Sequence, residues 1–157
     1  MAKVFLYDPA ETTKDTLAII KRKGYTCVEL TDDPDVFWNT VENLGEGDVL
    51  ALLSHGNANG PSDVTGTEGD DIDMDRFCEA MTDHNIELYL LSCNTGQDPC
   101  GETLSDNGVR FVAPKGCAVF TTVGTDQVLV YSKSGGEYKG WSGPLAPTRD
   151  NKSLSLP

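Results

Sequence analysis

Two near-continuous apolar runs, DVLALLS at 48–54 and IELYLLS at 86–92, restrict the fold more than any other feature of the chain. A strand with one wet face alternates apolar and polar residues. A strand apolar at almost every position has to be covered on both faces, as in a parallel sheet held between two other layers. KVFLYD (3–8), YTCVEL (25–30) and VRFVAP (109–114) read as further strands of that sheet. Helical patterns lie between them. Residues 11–24 place Leu17 and Ile20 on one face and end at Gly24. Asp33 caps a helix opened by Pro34, with Phe37, Val41 and Leu44 at helical spacing and Gly45 after it. Asp73 starts another, with Met74, Phe77, Cys78 and Met81 as its buried stripe, and Pro99 to about Ser105 form a short one closed by Asn107-Gly108. This alternation predicts an α/β fold, a three-layer sandwich with a mainly parallel sheet and helices on both faces.

The pattern changes after residue 114. CAVFTTV, QVLVYSK and EYKGW are short strands separated by glycine-containing turns, which predicts a C-terminal antiparallel meander. At 157 residues the chain is expected to form a single domain over 1–150, with 151–157 as a flexible tail. The stretch HGNANGPSDVTGTEGDD, 55–71, is long for a loop in a compact domain and therefore reads as functional.

Charge excludes some partners. The net charge is −13, and the one basic cluster, Lys21-Arg22-Lys23, falls in a helix's last turn, where cations complement the dipole. Nucleic acid and anionic membrane are not expected as partners, because neutralising phosphates needs clustered Lys and Arg. A basic polypeptide would be drawn to such a surface. The opening MAKVFLYDP lacks the apolar length of a secretory signal, so a cytoplasmic location is expected.

Five cysteines without a signal sequence argue against a disulfide framework. No CxxC occurs and His55 and His84 are the only histidines, so neither a zinc site nor any other cofactor is expected. Cys27 and Cys78 lie on apolar faces and read as small buried hydrophobes, with Cys100 and Cys117 also structural. Asp71, Asp73 and Asp75 alternate as at the start of a calcium loop. Arg76 and Thr82 stand where that loop needs Gly and Glu, so a helix cap is the better account. YDPAETTKD has no glycine to cradle a phosphate, and Trp38 and Trp141 read as packing residues.

The chemistry concentrates at two strand ends. The runs ALLSHG and YLLSCNTG share one form, with His55 in the first where the second has Cys93. In open α/β sheets ligands bind beyond the carboxyl ends of the strands. Consecutive parallel neighbours would deliver both side chains to one edge. An imidazole beside a thiol can take its proton and later return it to a leaving amine. Gly56 lets the backbone approach the reacting carbon, and its amide with that of Cys93 would form the oxyanion hole. Asn94, Thr95 and Gly96 would keep the thiol exposed on a turn, with Asn94 a candidate substrate contact.

Strands ending in His-Gly and in Ser-Cys-Asn-Thr-Gly resemble the caspase-like clan of cysteine peptidases. The segment LLSCNTG followed by GETLSDNGVRFVAPKG is similar to the caspase-like domains of bacterial toxins. The likeness covers roughly residues 45 to 117. It implies a sheet in flavodoxin-like strand order, His55 as general base, Cys93 as nucleophile, and Gly56 with Cys93 as oxyanion donors. Many members carry an acidic residue before the nucleophile where this chain has Leu91 and Ser92, so no specificity-pocket residue follows from the motif. The basic surface with which some toxin proteases bind inositol phosphate is also missing. The expected activity is endopeptidase or autoprocessing cleavage of a polypeptide, with a lean towards Arg or Lys. The alternative is a catalytically silent binding or regulatory module on the same sheet.

Overall fold

The computed structural model describes residues 1–65, 69–147 and 153–157. In chain order the elements are β1 (Lys3–Tyr7), α1 (Lys14–Arg22), β2 (Thr26–Glu29), α2 (Pro34–Glu42), β3 (Val49–Leu53), β4 (Gly56–Asn57) and β5 (Gly60–Pro61). Then follow α3 (Met74–Asp83), β6 (Glu87–Leu90), α4 (Cys100–Asp106), β7 (Arg110–Pro114), β8 (Cys117–Val123), β9 (Gln127–Ser134), β10 (Glu137–Tyr138), β11 (Trp141–Ser142) and β12 (Ser153–Ser155).

The central sheet runs β11-β7-β6-β3-β1-β2. All of its pairs are parallel except β11 with β7. The parallel strands thus have the flavodoxin-like order, which reverses between β1 and β3. All five residues of β3 are buried, and the two sides of the strand serve different cores. Leu50 and Leu52 join Phe37, Val41, Phe77, Met81, Leu88, Leu104 and Phe111, under α2, α3 and α4. Val49, Ala51 and Leu53 join Ile19, Ile20, Tyr89, Val112, Val130 and Leu154 on the other face. The strand needs no polar residue because neither face meets water.

That second face departs from the expected pair of helical layers. It is covered by α1 together with an antiparallel sheet, β10-β9-β12, to which β8 adds by pairing with β9. The meander is therefore a layer of the sandwich, and β11 leaves it to extend the central sheet. The loose tail expected at 151–157 is corrected over 153–157; residues 151–152 lie outside the described residues. Ser153–Ser155 pair with Tyr131, Val130 and Leu129 of β9, and Leu154 and Leu156 are buried because they complete the apolar face over α1.

The predicted caps at Asp33 and Asp73 accept from Asp35 N and Arg76 N. The first helix begins later than its periodicity suggests. Thr13 stays extended and its Oγ1 accepts from Thr16 N at 3.2 Å, which starts α1 at Lys14. A 3-10 turn at Pro9–Glu11 precedes it. The long loop after β3 opens with the β4–β5 hairpin and is tied across by a Ser62–Asp71 bridge. Trp38 and Trp141 are both buried packing residues, Trp38 with the Arg76 guanidinium 4.0 Å from its ring centroid. No described helix is long and apolar enough to cross a membrane.

Candidate functional site

The register of β3 on β6 pairs Leu50 with Leu88 and Leu52 with Leu90. Continued past the strand ends, the same offset sets Ser54 beside Ser92 and makes His55 and Cys93 equivalent positions. The structure bears this out at the serines. Their hydroxyl oxygens lie 2.8 Å apart and are buried, although the residues are 38 positions apart in the chain. Ser54 spends its own proton on the His55 carbonyl at 2.9 Å, so Ser92 donates to Ser54. Two buried polar groups thereby satisfy each other where the ladder ends. Beyond them the Thr95 hydroxyl donates to the Ser92 carbonyl at 2.7 Å, folding the chain into the CNTG turn.

Gly56 presses against that turn. A Cβ at this position would lie 2.7 Å from Ser92 Cβ, 2.9 Å from the Cys93 carbonyl oxygen and 3.0 Å from Thr95 Cγ2. Glycine is thus required by close approach of two backbones. Asn94 has φ 62°, a left-handed conformation that asparagine adopts more readily than most residues, and its Oδ1 accepts from Gln97 Nε2 at 3.2 Å. Its side chain is therefore engaged within the turn. Gly96 lies under Ala113 and Pro114, where a Cβ would meet carbonyl oxygens at 2.5 and 2.9 Å. The glycines and asparagine of SHG and SCNTG thus have packing and backbone reasons to stand where they do.

His55 is half exposed, its side chain at 52%. Its Nε2 lies 3.1 Å from Glu11 Oε1 and 3.8 Å from Asp8 Oδ2. Both carboxylates come from the end of β1, the strand next to β3. The Asp8 amide donates to the Leu53 carbonyl at 2.8 Å, prolonging the ladder, and Asp8 Oδ1 accepts from Ala10 N at 2.9 Å to cap the 3-10 turn. That turn swings Glu11 over the imidazole. Asp8 and His55 also line a cleft of about 380 Å³ with Asp32 and Asp63, at the point where the strand order reverses. Among the described residues, no Lys or Arg lines it. The Asp8, Glu11 and His55 ligand atoms all lie within 4.8 Å of one another, so the trio could also hold a divalent cation. The contact of the imidazole with Glu11 already accounts for their proximity. Locally, YDPAETTKD marks Asp8 and Glu11 only as polar residues after a strand, without the glycine of a phosphate or flavin loop. The signal present was two carboxylates at the carboxyl end of a strand, the edge where ligands bind.

The sulfur of Cys93 differs from expectation. Cys93 and Cys117 form a disulfide across a separation of 24 residues, a correction to the expectation of no disulfide framework. The cause is the path of the chain after β7. The Asn94 amide donates to the Gly116 carbonyl and the Gly96 amide to the Pro114 carbonyl, both at 2.8 Å, so Cys117 returns alongside the CNTG turn. In this state the thiol predicted as nucleophile is capped. Cys27, Cys78 and Cys100 are free. Cys78 and Cys100 are buried, and burial pushes their thiols up to about 11 and about 12 respectively.

The arrangement thus joins a half-exposed imidazole braced by two carboxylates, a sulfur at the matched position of the next strand, and an acidic cleft. No protein-family model matches the chain, and no curated protein matches it.

Proposed function

We propose that the chain is a caspase-like cysteine peptidase whose nucleophile is Cys93 in its thiol form and whose general base is His55. The observation that carries the reading is the β3–β6 register, clamped by the Ser54–Ser92 contact, which sets residues 55 and 93 at equivalent positions past adjacent strand ends. Because Nε2 of His55 faces Glu11, Nδ1 is the nitrogen that exchanges a proton with the thiol. The thiolate attacks the scissile carbonyl, and the amides of Gly56 and Cys93 receive the oxyanion. The imidazolium returns its proton to the leaving amine, and water then releases the acyl group. Glu11 and Asp8 hold the ring.

Asp8, Asp32 and Asp63 line the cleft beside His55, which suits a basic side chain and supports cleavage after Arg or Lys. A peptide library should accordingly be cut after basic residues in the presence of a thiol reductant. A profile favouring Asp or Leu would remove the charge argument. Cys93→Ala should lose all hydrolysis and all labelling by a thiol-directed peptide electrophile, with the fold intact by circular dichroism. Labelling that instead follows Cys117 or Cys100 overturns the assignment. The disulfide favours a second reading, a catalytically silent binding or regulatory module. That reading wins if the fully reduced protein cleaves no peptide and Cys93 takes no probe.

A further inference from the structure

Three properties separate the Cys93–Cys117 bond from an ordinary structural staple. First, the segment that carries Cys117 is held without it. Besides the two backbone bonds from Asn94 and Gly96, Gln97 Nε2 donates to the Lys115 carbonyl at 2.7 Å. The Gly116 amide donates to the buried Ser132 hydroxyl at 3.0 Å, and Cys117 is paired with Lys133 in the β8–β9 ladder. Gly116 is packed so closely on β9 that a Cβ would lie 2.5 Å from the Lys133 carbonyl oxygen. Opening the disulfide leaves residues 114–117 docked.

Second, both sulfur-bearing residues are partly exposed, whereas Cys78 and Cys100 are fully buried. Burial keeps those two thiols protonated at neutral pH and also raises the half-buried Cys27. Exchange with a small thiol or disulfide is thereby directed to one pair. Third, one member of that pair is the residue on which hydrolysis depends in the function proposed above.

We propose that Cys93–Cys117 is a redox latch on the nucleophile, a regulatory role that rests on the peptidase reading. A low-molecular-weight thiol of the glutathione class attacks the disulfide. A second thiol completes the exchange, so two thiols are oxidised to one small disulfide while Cys93 and Cys117 each gain a hydrogen. The enzyme is then competent. The reverse exchange recloses it: the small disulfide caps one sulfur, the neighbouring thiolate displaces the cap, and two small thiols leave. Because the docked segment keeps the sulfurs adjacent, the second step is intramolecular and outruns external capping. Cys117 is in this scheme a resolving cysteine, and it protects Cys93 from lasting mixed disulfides and over-oxidation.

The test uses the whole chain, wild type and Cys117→Ser, with Cys117→Ala as a second variant in case the hydroxyl disturbs β8. Each reduced protein is incubated with oxidised glutathione, quenched by alkylation and read by intact mass and peptide mapping, with peptide hydrolysis and probe labelling in parallel. Wild type is expected to lose two hydrogens, to yield the linked Cys93–Cys117 peptides, and to stop both labelling and cleavage. Reduced glutathione should restore both without unfolding. Either Cys117 variant is expected to be active when reduced and to gain a glutathionyl group on Cys93 when oxidised. The latch is overturned if wild type also keeps a glutathionyl group on Cys93, if Cys93 pairs with another cysteine, or if the bond opens only in denaturant. A pair that opens and closes as described in a protein that cleaves nothing when reduced leaves the thiol switch intact and defeats the peptidase reading instead.

Discussion

At the scale of single residues, the informative contact is His55 with the turn after β1. Glu11 lies 3.1 Å from Nε2 and is itself about one-third exposed, so in the proposed peptidase it is a positioning residue in partial contact with solvent. In the proposed peptidase, Glu11→Gln should lower kcat about tenfold with KM unchanged, well below the ~10²–10⁴ that a general base contributes. A purely structural role would leave kcat where it is. The matched places of residues 55 and 93 past neighbouring strand ends were legible in the sequence, because each ends an apolar run with the same SHG- or SCN-like frame. Glu11 was not, since its role depends on β1 and β3 being neighbours, which no local pattern records. The partnership of Cys93 with Cys117 is equally non-local: it follows from backbone bonds between 94–96 and 114–116.

Among the elements, those with strong local signals came out where the residues put them. Asp33 and Asp73 cap α2 and α3, and the apolar stripes Phe37–Val41 and Phe77–Cys78–Met81 are buried. The β4–β5 hairpin was invisible because two-residue strands have no alternation to read. Asp48, ahead of β3, is a less obvious element signal. Its buried carboxylate accepts from the Ala2 amide at 2.8 Å and the Gly45 amide at 2.7 Å, joining the start of β1 to the turn after α2. Those donors, Ala2 first, hold its carboxyl below the usual carboxylate range. Asp48→Ala should destabilise the fold by about 2 kcal/mol at neutral pH, as expected for hydrogen bonds to a charged group. The sign of the pH dependence follows from the depressed value. The stabilisation is complete above the unfolded-state value of about 3.9 and is lost as pH falls through the folded one. Urea unfolding of both proteins across the acid range should show the difference narrowing as pH falls; a constant gap would mean that charge plays no part.

For the molecule as a whole, strand–helix alternation was enough to give a mainly parallel sheet between two layers. It did not reveal that one layer is mostly antiparallel strand. Short strands and turns after residue 114 specify hairpins, but not the surface on which they pack. The last strand belongs to that layer, and Leu154 of β12 is 5% exposed within the second core. Leu154→Ala should cost roughly 2–5 kcal/mol by the range for buried leucines. Measured by chemical denaturation, a loss under 0.5 kcal/mol, about the range of surface substitutions, would mean that β12 contributes little to the fold. The Ser54–Ser92 contact has a further mechanical consequence. It bolts together two strand tips that already belong to one ladder, so residues 55 and 93 start from anchors fixed at the interstrand spacing of about 4.8 Å. Loop motion can uncover or shield these two positions but can hardly retune the spacing of their anchors, and in the proposed peptidase adjustment therefore falls to chemistry on the sulfur and the imidazole themselves.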